Sequence, residues 1–349
     1  MPRVSVVLIS RNQAWNIARL IESVLREVDG ADGREIVLVD SASDDATVAL
    51  ASQFSITIIC LHGSQRLTAA LGRYIGFHHT TGEHILFLDG DMELIPGWMA
   101  GALNVLDQHG EIAAITGRLI DQLPPRDPGA RGPNPAAGWS DGPLEVVSHG
   151  GGAALYRRNI LERVGTFDPR LYSDEEPELC LRIRHAGYRI VRTRAPIAYH
   201  YSEPRYHLAT VLHRRQRHLY LGLGQNIRHH LRSPLLWPYL RERGFGLAPG
   251  ALIMLATGGL IQALLARRPR QVGAILGAGA VLIGVDIVRR RSVSCSLFAF
   301  AQRLVVLEGT VRGFLLHPIQ WAEFRPSYEV LPANGGRRSI AGQGETAHG

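Results

Sequence analysis

The chain of 349 residues is 46% hydrophobic and 20% charged, which allows one large domain or two ordinary ones. Its formal net charge of +7 comes from arginine, because the sequence contains no lysine. The absence of lysine excludes Schiff-base catalysis and any phosphate-binding loop that depends on a lysine. A basic chain of this kind has three classes of partner to consider, namely nucleic acid, anionic lipid and phosphorylated substrates.

The cysteines and the first residues bear on the cellular compartment. Cys60, Cys180 and Cys295 are far apart, and their spacing matches no metal-binding motif. An odd number of scattered cysteines predicts reduced thiols, and hence a catalytic domain in the cytosol. The first residues form no basic-then-apolar signal segment, and their pattern predicts a strand instead.

The first hundred residues alternate between short apolar runs and segments with helical periodicity. Runs rich in apolar and β-branched residues predict buried strands at Val4 to Ile9, Glu35 to Val39, Ile56 to Leu61 and Ile85 to Leu88. Helices are predicted between them, including one from Arg66 to Phe77. This alternation predicts an α/β fold with a doubly wound sheet.

The fourth predicted strand ends in two carboxylates separated by a glycine, Asp89-Gly90-Asp91. Ligands of open α/β sheets usually bind at strand ends, where two carboxylates can hold a divalent cation against phosphate oxygens. A glycine between them allows the backbone to come close to a bulky ligand. The alternative is a surface hairpin turn, because Asp-Gly is also a common turn signal.

Polar residues also follow the first two predicted strands. Ser10 and Asn12 come after the first, and Asp40 and Ser43 come after the second. Capping of the next helix is an alternative explanation for Asp40 and Ser43, and the two roles are compatible because a helix N-terminus attracts anions. Arg73 lies on the predicted helix from Arg66, where a solvated helix face competes with a functional role.

An acidic cluster and a histidine follow later in the chain. Glu175, Glu176 and Glu178 surround Pro177, which suits the first turn of a helix. Capping of this helix by the acidic residues is the structural alternative to catalysis. His200 ends a predicted strand, where it is either a metal ligand or a structural residue.

The chain becomes basic and then apolar after about residue 205. The segment 207–232 is rich in Arg and His with helical spacing of its leucines, which is typical of a membrane-surface helix or of an ordinary solvated helix. Leu247 to Ala266 has twenty residues without a charge, and at ~1.5 Å per residue it could cross the ~30 Å core of a bilayer. A second apolar run covers Val272 to Val288, and an amphipathic segment covers Ser296 to Leu316.

Arginines flank both apolar runs, so their distribution leaves the topology open between a two-span hairpin and helices that lie in the interface. The predicted organisation is a catalytic domain at 1–205, basic amphipathic helices at 206–246, a membrane-embedded helical region at 247–316 and a largely disordered tail at 317–349. The Pro- and Gly-rich segment 123–139 is predicted to be a mobile loop, either bordering an acceptor groove or inserted passively.

Three segments of the first hundred residues resemble the family 2 glycosyltransferases, which have the GT-A fold. They are the opening ValSerValValLeuIleSerArgAsn, the ValAspSerAlaSerAspAspAlaThr segment and the strand end LeuAspGlyAspMetGluLeu. The resemblance implies a GT-A fold with a doubly wound mixed sheet, a nucleotide-sugar donor, a divalent metal (Mn or Mg) and inversion at the anomeric carbon. In this family Arg73 would be followed by Asn, whereas this chain has Tyr74.

The resemblance also assigns roles by position. Asp40 resembles the carboxylate that contacts the base of the donor, Asp89 the one near the ribose, and Asp91 the metal ligand. His200 is similar to a late histidine that completes the metal site. The donor-binding residues implied in this way are Ser10, Asn12, Asp40, Ser43, Arg73 and Asp89.

The segment from Glu175 to Arg182 resembles the family motif Glu-Asp-x-Asp-Leu-x-x-Arg, in which the second acidic residue is the catalytic base. That position is Glu176, and Glu175 remains an alternative because this chain has Glu where the family has Asp. A base at this point must accept a proton from the attacking hydroxyl.

The expected function is therefore that of an inverting, metal-assisted glycosyltransferase with a glycan or lipid-linked acceptor. It is expected at the inner (cytoplasmic) membrane, with the catalytic domain facing the cytoplasm. The alternatives are a nucleotidyltransferase, which would need a Gly- and Lys-containing phosphate loop after the first strand, and a nucleotide-sugar-binding protein without glycosyl transfer. Nucleic acid is not an expected partner, because the basic residues lie beside membrane-length apolar segments.

Overall fold

The computed structural model of the protein describes residues 3–28, 35–124, 139, 142–202, 208–244 and 247–331. The chain divides into two compact units. The first unit comprises Met1–Glu203 together with Pro318–Gly349, and the second comprises Pro204–His317.

The first unit contains a sheet with helices on both faces. Its strands are β1 (Val4–Ser10), β2 (Glu35–Asp40), β3 (Thr57–Leu61), β4 (His84–Asp89), β5 (Met92–Leu94), β6 (Ile112–Gln122), β7 (Glu145–Val146), β8 (Ala154–Arg157), β9 (Arg189–Tyr201) and β10 (Tyr328–Leu331). Its helices are α1 (Ile17–Val28), α2 (Thr47–Ala51), α3 (Ala69–His78), α4 (Trp98–Gln108), α5 (Arg158–Val164) and α6 (Glu175–His185), with a 3-10 helix at Trp321–Glu323. The four strands and the helix predicted in the first hundred residues are confirmed, with ends that differ by at most three residues.

The strands lie in the order β10-β3-β2-β1-β4-β8-β6-β9-β5, and β7 pairs with β9. Strands β3, β2, β1 and β4 are parallel, whereas β8, β5 and β10 run antiparallel to their neighbours. The predicted α/β fold with a mixed sheet is therefore confirmed. The connection reverses direction between β1 and β4, and ligands of such sheets bind outside the carboxyl ends of the strands at this point.

Strand β1 shows why both faces of the sheet are covered. Val6 and Leu8 pack with α1 and α4 in one core, and Val7 and Ile9 pack with α3 and α6 in the other. Successive side chains of a strand point to opposite faces, so a continuous apolar run buries both faces. The result is a central sheet, buried on both faces, whose carboxyl edge carries the polar residues.

The second unit is helical. Its helices are α7 (Leu208–Gln216), α8 (Gly222–His229), α9 (Leu236–Arg243), α10 (Leu247–Leu265), α11 (Pro269–Arg290) and α12 (Val293–Leu315). The basic segment 207–232, which lies in the range predicted to form amphipathic helices, contains two helices, α7 and α8, separated at residues 217–221. By length and composition, α10 and α11 could each cross a membrane. None of the residues of α11 is buried.

The chain returns to the first unit after the second. The segment 317–331, which was predicted to belong to a largely disordered tail, contains the 3-10 helix and β10, and β10 pairs with β3. Residues 332–349 of the predicted tail lie outside the described residues, as do residues 125–138 of the predicted loop at 123–139.

Candidate active site

Asp40 is the centre of a hydrogen-bond network at the ends of β1 and β2. The hydroxyl of Ser10 donates to Asp40 Oδ1 at 3.0 Å, and the hydroxyl of Ser43 donates to the same oxygen at 2.6 Å. The backbone N–H of Ser43 donates to Asp40 Oδ2 at 2.8 Å. Helix α2 begins only at Thr47 after an Ala46 cap, so the prediction that Asp40 and Ser43 cap this helix is wrong. Asp40 instead holds the turn after β2 against the end of β1.

Asn12 joins the same network from the loop after β1. Its backbone N–H donates to Ser43 Oγ at 2.8 Å, and its side-chain oxygen accepts from the N–H of Asp44 at 3.0 Å. Asn12 has a φ of 55°, a left-handed conformation that Asn tolerates better than most residues. The structure therefore brings Ser10, Asn12, Asp40 and Ser43 together in one polar network at the carboxyl edge of the sheet.

The Asp89-Gly90-Asp91 turn connects β4 to β5, and the side chain of Asn16 holds it by hydrogen bonds. The side-chain amide of Asn16 donates to the carbonyls of Gly90 at 3.0 Å and Met92 at 2.8 Å. A Cβ on Gly90 would lie 3.1 Å from the carbonyl oxygen of Ile9, so only glycine fits here without a shift. Strand β5 pairs with β9 and not with β4, so the alternative prediction of a hairpin turn is wrong.

Arg73 crosslinks the Asp-Gly-Asp turn to the start of α6. Its guanidinium donates to Asp89 Oδ1 at 2.6 Å and also to Glu175 Oε1. Arg73 is only 4% exposed, which shows that the solvated-face alternative is wrong. Burial raises the pKa of Asp89 to about 6, with the charges of Asp91 and Glu175 adding to the increase and that of Arg73 opposing it.

Glu176 has different partners from its neighbour Glu175. Its Oε1 accepts from the backbone N–H groups of Gly150 at 2.6 Å and Gly151 at 3.0 Å. The thiol of Cys180 also donates to Oε1, at 3.2 Å. Burial raises the pKa of Glu176, and nearby His149 together with these hydrogen bonds opposes the increase. Both glutamates lie in the first turn of α6. Glu175 is bound to the guanidinium of Arg73, whereas Glu176 is bound to the glycine loop at Gly150 and Gly151.

His200 lies on β9 directly opposite Met92 of β5, which places it beside Asp91. Its Nε2 is 3.6 Å from Asp91 Oδ2, and its Nδ1 is 2.7 Å from Asp121 Oδ1. The nearby carboxylate of Asp91 is the largest cause that raises the pKa of His200 to about 9; burial opposes the rise, and the hydrogen bond to Asp121 adds to it. The predicted pair of metal-site residues is thus brought together, with a second carboxylate behind the ring.

This arrangement of carboxylates, arginine and histidine at the switch point of the mixed sheet can be compared with known proteins. The family model "Glycosyl transferase family 2" matches residues 5–165. Residues 5–165 are a family 2 glycosyltransferase domain. The predicted resemblance is therefore confirmed, and the match covers β1 to β8 with the Asp40 network and the Asp-Gly-Asp turn.

Relatives of the glycosyltransferase domain come from several kingdoms. Human polypeptide N-acetylgalactosaminyltransferase 15 is 29% identical over 128 residues, which is 35% of this chain and 20% of that protein. Glycosyltransferase AglE of Haloferax volcanii is 24% identical over 212 residues, 58% of this chain and 68% of that protein. The chain thus spans about a fifth of the length of the human relative.

The GT-A fold is shared with a solved mannosyltransferase from Pyrobaculum calidifontis, PcManGT, whose structure is a complex with GDP-Man and Mn²⁺. The two structures superpose with a TM-score of 0.60 over 89% of this chain and 87% of that one, at 19% sequence identity. At this identity the likeness concerns the fold. It confirms the predicted GT-A architecture of the glycosyltransferase domain.

The pair formed by Asp91 and His200 is suited to a divalent cation. Asp91 Oδ1 is buried and has no hydrogen-bond partner among the described residues, which leaves a carboxylate oxygen available to a ligand. His200 presents Nε2 to the same carboxylate, while Asp121 Oδ1 accepts a hydrogen bond from Nδ1. A metal-bound histidine usually has its other ring nitrogen held by a carboxylate in this way.

Three contacts of the site involve groups that were not among the predicted site residues. Asn16 supports the Asp-Gly-Asp turn, Asp121 holds His200, and the glycine loop binds Glu176. A Cβ on Gly152 would lie 2.4 Å from Asp89 Oδ2, so this glycine leaves room for the carboxylate. The run of three glycines was the available signal for the loop. Asn16 and Asp121 carry no local signal, because their partners are distant in sequence.

Proposed function

We propose that this protein is an inverting glycosyltransferase that moves a sugar from a nucleotide-sugar donor to a hydroxyl of a glycan or lipid-linked acceptor, with help from a divalent metal. The observation that carries the proposal is the convergence of Asp89, Asp91 and His200 at one turn of a family 2 glycosyltransferase domain, beside the glycine loop that binds Glu176. These side chains supply a donor-binding edge, a cation site and a candidate base.

The nucleobase of the donor is proposed to bind at the edge formed by β1 and β2. Its proposed contacts are Asp40, Ser10, Asn12 and Ser43. Asp89 is the proposed contact for the ribose. Arg73 orients Asp89 by a hydrogen bond, and its charge also favours the anionic donor. The network around Asp40 makes this edge rigid, which lowers the entropy lost when the donor binds.

Asp91 and His200 are the proposed metal ligands, for Mn²⁺ or Mg²⁺. The structural neighbour from Pyrobaculum calidifontis, described with GDP-Man and Mn²⁺, supports a nucleotide-sugar donor and a divalent cation for this fold. A bound cation would neutralise negative charge on the diphosphate leaving group. Binding through Nε2 requires the loss of the proton that Asp91 and Asp121 stabilise on His200.

Glu176 is the proposed base. The acceptor oxygen attacks the anomeric carbon while the bond from that carbon to the diphosphate oxygen breaks, and the acceptor proton moves to the carboxylate. A single displacement of this kind inverts the configuration of the anomeric carbon. Burial raises the pKa of Glu176, which makes the ionised carboxylate a stronger base than an exposed glutamate. Glu175 is committed to Arg73, which favours Glu176 over its neighbour.

The second unit is proposed to attach the protein to the inner membrane, with the catalytic domain in the cytoplasm. The range Pro204–His317 contains sixteen arginines and three acidic residues beside two helices of membrane length. Arginines near an anionic lipid surface contribute roughly 1 kcal/mol each. The arginines at 267–270 and 289–291 lie at opposite ends of α11, which favours helices in the interface over a two-span hairpin.

A donor screen tests the proposed function. The full chain in detergent is incubated with GDP-mannose and a panel of UDP-sugars, with Mn²⁺, Mg²⁺ or EDTA, and release of the nucleoside diphosphate is measured. We expect metal-dependent release from one donor class and its loss in Asp91→Ala, with an unchanged melting temperature. Binding of a donor without turnover would favour the non-catalytic alternative, and release of pyrophosphate from a nucleoside triphosphate would favour a nucleotidyltransferase.

A further inference from the structure

The segment 319–331 contacts the loop between β3 and α3 and the loop between α5 and α6, at the carboxyl edge of the sheet in the first unit. Its strand β10 pairs antiparallel with β3, with Tyr328 opposite Leu61. Ser327 hydrogen bonds to Gln65 and to His62, both in the loop after β3. This segment therefore packs against the residues that precede α3, and Ile319 also contacts Arg170 in the loop that precedes α6.

The side chain of Trp321 is the large apolar group that this segment exposes to solvent. It is 50% exposed, although Tyr74 and Phe324 pack against it with ring centroids at 6.1 and 5.8 Å. The guanidinium of Arg170 lies 4.3 Å from its ring centroid and donates to the carbonyl of Ile319 at 3.3 Å. These contacts hold a half-exposed indole in place, whereas an ordinary surface tryptophan would be free to rotate. Fixed aromatic rings of this kind provide contact area at a low entropic cost.

Arg66 contacts Arg170, the residue that stacks on Trp321. Its guanidinium is 4.5 Å from the ring centroid of Tyr172, and it donates to the carbonyl of Arg170 at 2.6 Å. Arg170 itself is paired with Asp168 through two hydrogen bonds of 2.8 Å. Arg66 has no carboxylate partner among the described residues, in contrast to Arg73 and Arg170. A stacked guanidinium with unused donors is suited to a phosphate group.

The position of these residues connects them to the proposed base. Tyr172 precedes Glu176 by four residues, in the loop that leads into α6. Tyr74, which contacts Trp321, follows Arg73 on α3. The surface formed by Arg66, Tyr172 and Trp321 thus borders the two elements that hold the proposed base and the donor-side arginine.

We propose that Arg66, Tyr172 and Trp321 form the acceptor subsite, and that the acceptor is a phosphorylated sugar. The indole of Trp321 packs on the apolar face of the sugar ring, and Arg66 binds the phosphate. This inference rests on the proposed function, because it names the acceptor class of the same reaction. The phosphate belongs either to a lipid-linked sugar phosphate or to a soluble one, and both present the same chemistry to Arg66.

The test measures binding by calorimetry to the full chain in detergent, with its donor site filled by the nucleoside diphosphate of the donor and Mn²⁺. The probes are glucose 1-phosphate, its dodecyl phosphodiester and the neutral dodecyl glucoside. We expect Arg66→Gln to weaken binding of both phosphorylated probes roughly 10- to 100-fold, as expected for one charge-assisted contact, and to leave the neutral probe unchanged. Trp321→Ala should weaken all probes that bind wild type. A lipid-linked acceptor is indicated where the phosphodiester binds more tightly than glucose 1-phosphate.

Arg163→Gln is the matched control, because Arg163 also lies over a tyrosine ring, at 5.9 Å from Tyr188. It should bind every probe as the wild type does. Equal affinity of wild type and Arg66→Gln for the phosphorylated probes, or no binding of them to wild type, overturns the proposal. So does a loss of donor hydrolysis in Arg66→Gln, which would assign Arg66 to the donor. Donor turnover failing in wild type while phosphate-dependent binding persists would refute the proposed function alone.

Discussion

Replacing Glu176 by Gln isolates its role as a base. The change keeps the size of the side chain, and the amide oxygen can still accept from the N–H groups of Gly150 and Gly151. The amide has no basic oxygen, so the chemical step should slow by roughly 10²- to 10⁴-fold, about 2.7–5.5 kcal/mol in activation free energy. Donor affinity should not change, because the donor contacts come from other residues.

Glu175→Gln is the matched control in the same helical turn. Glu175 binds buried Arg73, so this change removes one of the two negative partners of that cation. We expect a loss of about 1–3 kcal/mol in the free energy of unfolding and a lower melting temperature. The turnover of folded protein should fall less than about tenfold, because the proposed proton acceptor is intact.

The assay is hydrolysis of the donor, with water in place of the acceptor, followed under single-turnover conditions across pH. Only the ionised carboxylate accepts a proton, and burial raises the pKa of Glu176. The wild-type rate should therefore decline as the pH falls through this raised pKa, and the residual rate of Glu176→Gln should lack that decline. A Glu176→Gln rate within about tenfold of wild type would refute the assignment. A large rate loss confined to Glu175→Gln would move the base by one residue.

Three further predictions concern the metal site, the glycine loop and the membrane. Asp121→Asn should lower Mn²⁺ affinity roughly 10- to 100-fold in titration calorimetry, because the ring it orients loses its carboxylate partner; unchanged affinity would show that the ring is held otherwise. Gly152→Ala places a Cβ 2.4 Å from Asp89 Oδ2, so donor affinity should fall about tenfold, whereas Gly142→Ala, whose nearest atom is Arg194 Cδ at 3.4 Å, should bind donor normally. The full chain should stay in the membrane fraction in about 1 M NaCl, since salt screens charges and not apolar insertion; release would leave only electrostatic attachment.

Local patterns were enough to predict much of the first unit. The β-branched run at Val4 to Ile9 and the apolar run ending at Asp89 each bury both faces of a strand, and this requirement is written in consecutive residues. The order and spacing of the polar segments after these strands then indicated the family. The carboxyl ends of parallel strands meet at one edge, so Ser10, Asp40 and Asp89 had to lie near one another.

The contacts that give these residues distinct roles were decided by the tertiary structure. Glu175 and Glu176 are adjacent in sequence, but successive helical positions point about 100° apart, so one meets Arg73 and the other meets the loop at Gly150. The pairing of Asp121 with the histidine joins residues 79 positions apart. Tyr328–Leu331 has too short a pattern to predict a strand, and it becomes β10 because the edge of β3 offers unpaired backbone groups. Such partners are selected by three-dimensional proximity, which single-sequence periodicity does not contain.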